Sequence, residues 1–334
     1  MTSHEHTEPL PSESASPSES TAWPKVTINI LSYNRREEVR QTLGELAPLD
    51  YPREALEIIV VDNASSDGTK EMIESEFPDV KLVVLFPNRG IAGWNAGFEA
   101  GTGDFFLVLD DDSAPQSGLK EAVAFLQRNP QIGILACTIT GGWATHEEAK
   151  DNAELMGFIG CGAIIRREVV EAIGGYAPWI YLYAHEWEYS VRCLEAGFDI
   201  RYFKGCVVHH RGSLSLRSFK KITVYTTRNN LLIIHKFFAR QRPLLMARTI
   251  VHLCNWGRRD FGKQKFRTPL YVLRGIVMFL REAPGQKQTF VKPEVQERYV
   301  RLFDLTGPIY QLVFNFLSRA LIGTELFPHK YEKH

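Results

Sequence analysis

Three aspartates stand side by side in this chain: Asp110, Asp111 and Asp112 directly follow the apolar run FFLVL. Neighbouring carboxylates repel one another, by about 1 kcal/mol per close pair in water and by more where water is scarce. A bound hard cation relieves that repulsion. Mg²⁺ and Mn²⁺ suit oxygen ligands, keep some of their waters and share phosphate oxygens with a substrate. The triplet therefore predicts a site for a divalent metal and a phosphate group.

A further acid closes another apolar run, because Asp62 ends the sequence IIVVD. In open parallel sheets, ligands bind outside the carboxyl ends of the strands. We therefore expect Asp62 and the triplet to lie at one edge of a sheet. A carboxylate at a strand end can also be structural, since it can cap the turn that follows. For Asp62 alone the residues leave both interpretations open.

The elements that must position these acids alternate between strand and helix. Four apolar runs are predicted to be strands: 26–32, 56–62, 81–86 and 104–110. Helices are predicted between them, and Asn34 with Glu37 is interpreted as the capping pair that opens the first one. This alternation is typical of βαβ units around a parallel sheet.

The pattern changes along the second half of the chain. It becomes mixed after residue 130, and beyond about residue 235 it is mostly helical and basic. The longest charge-free piece there, 305–318, is too short to span a bilayer. No transmembrane helix is predicted.

Composition and cysteine placement are typical of an enzyme in a reducing compartment. Of the 334 residues, 44% are hydrophobic and 23% are charged, as in an ordinary globular protein. The five cysteines are scattered without a CxxC pair, which argues against a disulfide framework or a zinc cluster. No signal segment opens the chain, and residues 1–22, rich in Ser, Pro and Glu, are predicted to be a disordered tail.

The charges are unevenly distributed although the net charge is zero. Residues 217–334 contain 22 Lys and Arg against 7 Asp and Glu, and the rest of the chain contains 17 against 32. Such an asymmetry favours a C-terminal region that faces something anionic, either a membrane surface or a charged acceptor. Solvated helix faces are the simpler explanation, and the residues leave it open.

Four segments in this order resemble the family 2 glycosyltransferases with the GT-A fold, over about residues 25–235. They are VTINILSYNR, VVDNASSDGT, NRGIAGWNAGFEAGTGDFFLVLDDDS and YLYAHEWEYSVRCLEAGF. The resemblance implies an α/β fold whose mostly parallel central sheet is flanked by helices. We expect a catalytic domain at 23–235, with a nucleotide-binding half at 23–115 and an acceptor half at 116–235. A helical basic region at 236–334 follows.

The same resemblance implies an inverting, metal-dependent hexosyl or deoxyhexosyl transfer from a UDP- or dTDP-sugar. Asp112 would ligate Mg²⁺ or Mn²⁺, and Asp110 would contact the metal or the donor ribose, with Asp111 between them. His209 would complete the metal site, with His210 as the fallback. The remaining residues expected to bind the donor are Ser32, Asn34, Asp62, Asn88, Gly90, Asn95 and Arg228. Arg228 would meet the diphosphate or an anionic acceptor, or brace its own helix.

The catalytic base is expected where the family has Glu-Asp-x-Asp, and this chain has His185, Glu186, Trp187 and Glu188. Glu186 takes the usual Asp position and is the candidate base. Near a helix N-terminus it should stay ionised. Trp187 and Glu188 are candidates for acceptor binding. The alternatives are that Trp187 packs in the core and that Glu188 forms a helix salt bridge to Arg192.

The expected partners are a nucleotide sugar and a glycan or lipid-linked acceptor, with no nucleic acid. By resemblance, the setting is bacterial cell-surface polysaccharide or glycolipid assembly. The protein would be cytoplasmic, either free or in contact with anionic lipid at the inner face of the membrane. A degenerate GT-A fold that only binds is one alternative, because the base motif is altered. A haloacid-dehalogenase-type phosphatase would fit 105–112 alone, and the absence of GxxxxGK[ST] excludes a P-loop NTPase.

Overall fold

The structure is a computed structural model that describes residues 22–141, 150–212, 218–260 and 266–302. The predicted N-terminal tail, apart from residue 22, lies outside the described residues, and so does the charge-free segment 305–318. No helix in the described part of the chain combines the length and the apolar composition that a membrane crossing requires. All five cysteines are free thiols, as predicted.

The N-terminal half alternates strand and helix. Its elements are β1 (Val26–Ser32), α1 (Arg36–Glu45), β2 (Leu56–Asp62), α2 (Thr69–Glu76), β3 (Lys81–Val84), α3 (Trp94–Ala100) and β4 (Phe105–Asp110). Strands β1 and β2 have the predicted bounds, and β3 ends two residues earlier than predicted.

The predicted capping pair of α1 is wrong. The helix begins after Arg35, with no side-chain cap, and Asn34 lies outside it at a φ of 53°. The side-chain oxygen of Asn34 instead accepts a hydrogen bond from the backbone N–H of Ser66, at 2.7 Å. Asn34 therefore ties the loop after β1 to the loop after β2.

The second half contains more helix than strand. Its elements are β5 (Ser113–Ser117), α4 (Leu119–Arg128), β6 (Ile132–Thr140), β7 (Ala163–Arg166), α5 (Arg167–Ile173), α6 (His185–Glu195), β8 (Asp199–His210), α7 (Phe219–Phe237), α8 (Arg242–Asp260), α9 (Thr268–Glu282) and α10 (Pro293–Leu302). The helical C-terminal region is thus confirmed for the described residues up to 302.

The strands form one eight-stranded sheet in the order β3-β2-β1-β4-β7-β6-β8-β5. The pairs β1–β2, β1–β4, β2–β3 and β6–β8 are parallel. Strand β7 is antiparallel to β4 and β6, and β5 is antiparallel to β8. The predicted α/β fold with a mostly parallel sheet is therefore confirmed, and every antiparallel pair includes a strand that follows β4 in the chain.

The register of the parallel strands brings their polar ends together. Ser32 lies opposite Asp62, and Asp110 lies opposite Leu31, the residue before Ser32. The carboxyl ends of β1, β2 and β4 therefore meet at one edge of the sheet, as predicted.

Apolar side chains cover both faces of this sheet. Alternate residues of β4 face opposite sides: Phe106 and Val108 belong to one buried cluster, and Leu107 and Leu109 to the other. The cluster around Phe106 continues into the C-terminal helices through the buried residues Ile233, Phe237, Leu245, Val295 and Tyr299. Helices on both sides of residue 235 therefore share one core, while the domain boundary proposed there stays a prediction.

Candidate active site at the carboxyl ends of the strands

The three aspartates differ in exposure and in their partners. Asp110 is the most open, with 37% of its side chain exposed, whereas Asp111 and Asp112 are buried. A cation of the chain lies between the buried pair: Arg35 places Nε 3.1 Å from Asp111 and Nη2 2.8 Å from Asp112. Burial raises the pKa of Asp111, and the charge of Arg35 opposes that effect. Sequence reasoning missed Arg35, although it stands in the quoted segment VTINILSYNR.

Three possible metal ligands converge beside the triplet. One ligand atom each from Asp110, Cys161 and His210 lies within 4.8 Å of the other two. Nε2 of His210 is also 3.1 Å from a carboxylate oxygen of Asp112. An oxygen, a nitrogen and a sulfur donor from three separate segments form a set that fits a divalent cation. Cys161 was not among the predicted ligands.

The preference for His209 over His210 is wrong. Successive side chains of a strand point to opposite faces, so only one of the two histidines at the end of β8 can face the aspartates. His210 does so, and it pairs with Ser113 in the register of β5 and β8. His209 turns away, with its ring Nδ1 3.3 Å from the hydroxyl of Thr140.

Asp112 is the residue that the resemblance assigns to the metal. One of its oxygens meets Arg35 and the other lies near His210. Asp110, in contrast, is 37% exposed, and its carboxylate lies 3.8 Å from Nε2 of the same His210. Asp110 and His210 belong to the converging ligand set, and Asp112 lies beside them as the residue that links this set to Arg35.

The residues expected at the nucleotide form the loops behind this edge. Asp62 is buried and accepts a hydrogen bond from the backbone N–H of Ser65, at 2.9 Å. Its carboxylate thus shapes the turn after β2, the structural role that the sequence had left open. Ser32 is buried beside it at the end of β1, and Asn34 holds the neighbouring loop.

A second loop, 88–93, is fixed by side-chain amides. Asn88 accepts a hydrogen bond from the backbone N–H of Gly90, at 2.7 Å. Asn63, which sequence reasoning missed, accepts one from the backbone N–H of Arg89 and donates one to the carbonyl of Gly90. Gly90 has a φ of +59°, and a Cβ there would lie 2.2 Å from the carbonyl oxygen of Tyr181. Only glycine fits this approach.

Asn95 has a different role from the predicted one. Its amide donates to the carbonyl of Tyr176 at 2.8 Å and accepts from the backbone N–H of the same residue at 2.7 Å. Both ends of the side chain are therefore engaged by the backbone of a distant loop. Asn95 braces that loop instead of facing a donor.

Glu186 lies at the start of α6 with 21% of its side chain exposed. Burial raises the pKa of this carboxyl to about 7, although the backbone N–H groups of Glu186 and Gly160 oppose the shift. The expectation that it stays fully ionised is therefore wrong, because burial outweighs the helix N-terminus. A pKa near neutrality suits a general base.

Cys161 connects this carboxyl to the triplet. After burial, the largest influences that raise the pKa of its thiol are the charges of Asp110, Asp112 and Glu186. The charges of the candidate base and of two aspartates therefore all raise the pKa of the same thiol.

His185 precedes the base and is enclosed by aromatic rings. It stacks on Trp94 with ring centroids 5.8 Å apart and meets Tyr176 edge-on at 5.1 Å. Burial lowers the pKa of His185 to about 3, so the ring is neutral at physiological pH. Its Nδ1 lies 3.1 Å from a carboxylate oxygen of Glu186.

Three residues that were predicted to bind the donor or the acceptor make contacts within the protein instead. Glu188 is buried and makes two contacts of 2.8 Å with the guanidinium of Arg192, which is the salt bridge given as the alternative. Trp187 packs against the core and lies edge-on to Tyr299. Arg228 donates to the carbonyl of Trp179 at 2.7 Å and pairs with Glu282, so it braces α7 against α9.

Comparisons with known proteins bear on this arrangement. Residues 27–174 match the family model described as Glycosyl transferase family 2. The probable glycosyltransferase YdaM of Bacillus subtilis is 27% identical over 261 residues, which cover 69% of this chain and 61% of that protein. The poly(ribitol-phosphate) beta-N-acetylglucosaminyltransferase TarS of Staphylococcus aureus is 31% identical over 110 residues, which cover 31% of this chain and 19% of that protein.

Two solved structures show similarity in fold. The mannosyltransferase PcManGT of Pyrobaculum calidifontis, in complex with GDP-Man and Mn²⁺, gives a TM-score of 0.57 at 19% identity and covers 78% of this chain and 88% of that one. A structure of S. aureus TarS with UDP-GlcNAc gives 0.55 at 16% identity and covers 78% and 87%. Residues 27–174 of this chain therefore form a family 2 glycosyltransferase domain, and the fold is GT-A.

Proposed function

We propose that the protein is an inverting glycosyltransferase that moves a hexosyl or deoxyhexosyl group from a nucleoside-diphosphate sugar to an acceptor hydroxyl. One observation carries the proposal: Glu186 lies beside the converging ligand atoms of Asp110, Cys161 and His210, since its charge raises the pKa of the Cys161 thiol, and burial raises the pKa of Glu186 itself to about 7. A base for the acceptor and a site for a charged leaving group are what this transfer needs.

The nucleotide-sugar donor binds at the carboxyl ends of the strands. The loops held by Asn34, Asp62 and Asn63 form a wall for the nucleoside of a UDP- or dTDP-sugar. Asp110 and His210, with Asp112 beside them, would hold a divalent cation, which when bound neutralises charge on the departing diphosphate. Arg35, which contacts Asp111 and Asp112, adds positive charge beside this site.

The donor set favours Mn²⁺ over Mg²⁺ as the cation. Mg²⁺ is a hard ion that prefers oxygen ligands and keeps several waters. An imidazole nitrogen suits a transition metal better than it suits Mg²⁺, and one of the converging ligand atoms belongs to His210. The Mn²⁺ complex of the similar mannosyltransferase supports this choice.

On the acceptor side, Glu186 acts as the general base. Its carboxylate takes the proton of the acceptor hydroxyl while that oxygen forms its bond to the anomeric carbon. The bond from that carbon to the diphosphate breaks, and its electron pair leaves with the nucleotide. Attack from the face opposite the diphosphate inverts the anomeric centre. The buried, neutral His185 lies 3.1 Å from the Glu186 carboxylate and adds no charge beside it.

For the biological setting we propose bacterial cell-surface polysaccharide or glycolipid assembly, by a cytoplasmic or membrane-peripheral protein. The support is the match to TarS, which is named for glycosylating poly(ribitol-phosphate). The acceptor is then a glycan or a lipid-linked chain that presents a free hydroxyl.

The second candidate is a GT-A binding module without transfer activity. The altered segment His185–Glu188 favours it, because the family's first acid is replaced there by a buried histidine. The phosphatase alternative has no such support, since the triplet follows the fourth strand of the chain and not the opening one.

A donor panel separates these two functions. The full chain is incubated with UDP-, dTDP- and GDP-sugars and Mn²⁺, with thermal shift reporting binding and nucleotide release reporting turnover. A transferase stabilised by one donor should release its nucleotide, and Glu186→Gln should keep the shift and lose the release. A donor could instead stabilise the unmodified chain without any nucleotide release, either with water alone or with a panel of glycan acceptors. That result would assign the function to the binding module.

A further inference from the structure

Helix α9 exposes a continuous apolar stripe. Eleven large hydrophobic side chains are exposed in the described part of the chain, and five of them lie on this helix or in the turn before it. They are Phe266, Leu270, Leu273, Val277 and Leu280, with exposed fractions from 38% to 84%. Spacings of three and four residues place them on one side of the helix. The exposed side chains are therefore one surface, not scattered single residues.

A row of arginines runs beside this stripe. Arg267, Arg274 and Arg281 recur every seven residues, which is close to two helical turns, and all three are exposed. Residues 266–281 contain no Asp or Glu. The outward side of α9 thus combines an apolar stripe and a cationic row, without an acid to neutralise it.

The opposite side of α9 is fixed to the protein. Tyr271, Val272 and Phe279 are buried against the rest of the fold. A Cβ at Gly275 would lie 2.5 Å from Cβ of Thr227, so the backbones of α7 and α9 are in close approach. At its end, Glu282 pairs with Arg228. The helix cannot rotate to bury its stripe without losing these contacts.

We propose that α9 is a membrane-interface helix: its stripe enters the headgroup boundary of an anionic bilayer and its arginine row meets the lipid phosphates. A helix of 15 residues is roughly 22 Å long and lies in the plane of the interface instead of crossing it. Apolar burial and attraction to anionic lipid together determine the strength of such binding. The inference rests on α9 alone and holds whether or not the proposed transfer is correct.

Charge complementarity favours lipid over a protein occupant. A second copy of the chain would bring three more arginines to the contact and no acid from α9 to pair with them. A lipid surface offers a continuous layer of negative charge and accepts a narrow apolar insertion.

The position of α9 connects this surface to the site. Arg228 links Glu282 at the end of α9 to the carbonyl of Trp179, in the segment that leads to the base Glu186. A membrane-bound α9 would therefore hold the proposed site near lipid-linked acceptors.

Flotation of the full chain with phosphatidylcholine vesicles, with and without phosphatidylserine, tests the proposal. Binding should require phosphatidylserine and should weaken at high salt, because screening shortens the range of the charges. Leu273→Ser with Leu280→Ser should lower the binding constant at least tenfold, as should the triple change of Arg267, Arg274 and Arg281 to Gln. Neither variant should lose thermal stability.

Two matched control variants separate the effect of this particular surface from the effects of net charge and of exposed apolar side chains in general. Arg53, Lys70 and Arg128 are exposed elsewhere, and changing all three to Gln alters the net charge equally. Val84→Ser with Phe86→Ser removes exposed apolar side chains away from α9. Both controls should bind vesicles like the unmodified chain.

Four results would overturn the proposal. The unmodified chain fails to float with anionic vesicles at low salt, or the α9 variants and the controls bind equally. A dimer that the stripe variant breaks would assign the surface to a second copy. A lower melting temperature of the stripe variant without vesicles would show that the chain itself covers the stripe.

Discussion

At the scale of single residues, Arg35 supplies a countercharge that the three aspartates would otherwise need from a metal. It contacts Asp111 and Asp112 at 3.1 and 2.8 Å. Arg35→Gln should therefore lower the stability of the metal-free protein by about 1–3 kcal/mol, because two buried acids lose their charged partner. Mn²⁺ should raise the melting temperature of this variant more than that of the unmodified chain.

Arg36→Gln is the matched control for Arg35. Arg36 is exposed, and its side chain forms a salt bridge with Glu37 instead of with the triplet. It should change neither the stability nor the response to Mn²⁺. Equal thermal shifts for the two variants would mean that Arg35 does not balance the triplet.

The two glutamates of α6 should separate into a chemical and a structural role. Glu186→Gln cannot accept a proton, so transfer should fall about 10²–10⁴-fold while donor binding survives. Glu188→Gln should keep turnover near that of the unmodified chain and lower stability by about 1–3 kcal/mol, because the buried contact with Arg192 weakens. Turnover and melting curves of both variants check this. An inactive Glu188→Gln beside an active Glu186→Gln would exchange the assignments.

The raised pKa of Glu186 predicts how the rate depends on pH. The base works only when deprotonated, so kcat/KM should fall about tenfold per pH unit below about pH 7 and level off above it. The folded state also binds this proton more tightly than the unfolded chain, so the contribution of Glu186 to stability decreases as pH rises from about 4.5 to 7. A flat rate profile between pH 5.5 and 8 would rule out this carboxyl as the base.

At the scale of elements, the sequence predicts the strands that are buried on both faces. The run LEIIVVD is apolar from Ile58 to Val61, and VTINILS is apolar apart from Thr27, Asn29 and Ser32; the bounds of both match β2 and β1. The positions of β5, β6, β7 and β8 were not predicted, because their pairings depend on chain segments far apart in sequence. His209 and His210 show the same difficulty. A shift of one residue along a strand moves a side chain to the opposite face, and the sequence alone does not determine which of the two histidines faces the aspartates.

Site residues were predictable where one motif contains them, and not where two distant segments meet. Asp110 and Glu186 belong to segments that resemble the family. The contact of Arg35 with Asp112 joins residues 77 positions apart, and Cys161 reaches the cluster from a loop that precedes β7. The bracing roles of Asn95 and Arg228 likewise depend on tertiary contacts.

The loop 88–93 should be sensitive to a single methyl group. Gly90→Ala forces a positive φ on alanine and a clash with the carbonyl of Tyr181, so we expect a loss of about 1–3 kcal/mol and weaker nucleotide binding. Gly44→Ala is the control, because Gly44 lies in α1 with no atom within 4 Å of the added Cβ. It should stabilise the protein by about 0.5–1 kcal/mol. Similar melting temperatures for both variants would contradict the close approach at Gly90.

At the scale of the whole molecule, one core extends past the predicted boundary at residue 235. Phe237, Phe238, Leu245, Val295 and Tyr299 are all buried in the cluster that contains Phe106. A chain that ends at residue 235 should therefore lose its cooperative thermal transition, because large apolar surfaces on α6 and β8 become exposed. A chain that ends at residue 302 keeps all the described helices and should still melt cooperatively. A stable, cooperatively folded 1–235 fragment would establish the boundary.

The stacked pair of Trp94 and His185 has an optical consequence. The indole N–H of Trp94 donates to the carbonyl of Leu109, next to the triplet, while its ring lies 5.8 Å from a histidine that remains uncharged. A protonated imidazole quenches indole emission, and a neutral one does so far less. Trp94 should therefore be fluorescent in the resting protein. A change of charge at the neighbouring carboxylates alters the field across its ring, so the part of the emission that Trp94→Phe removes from the six-tryptophan total reports events at the strand ends without any added dye.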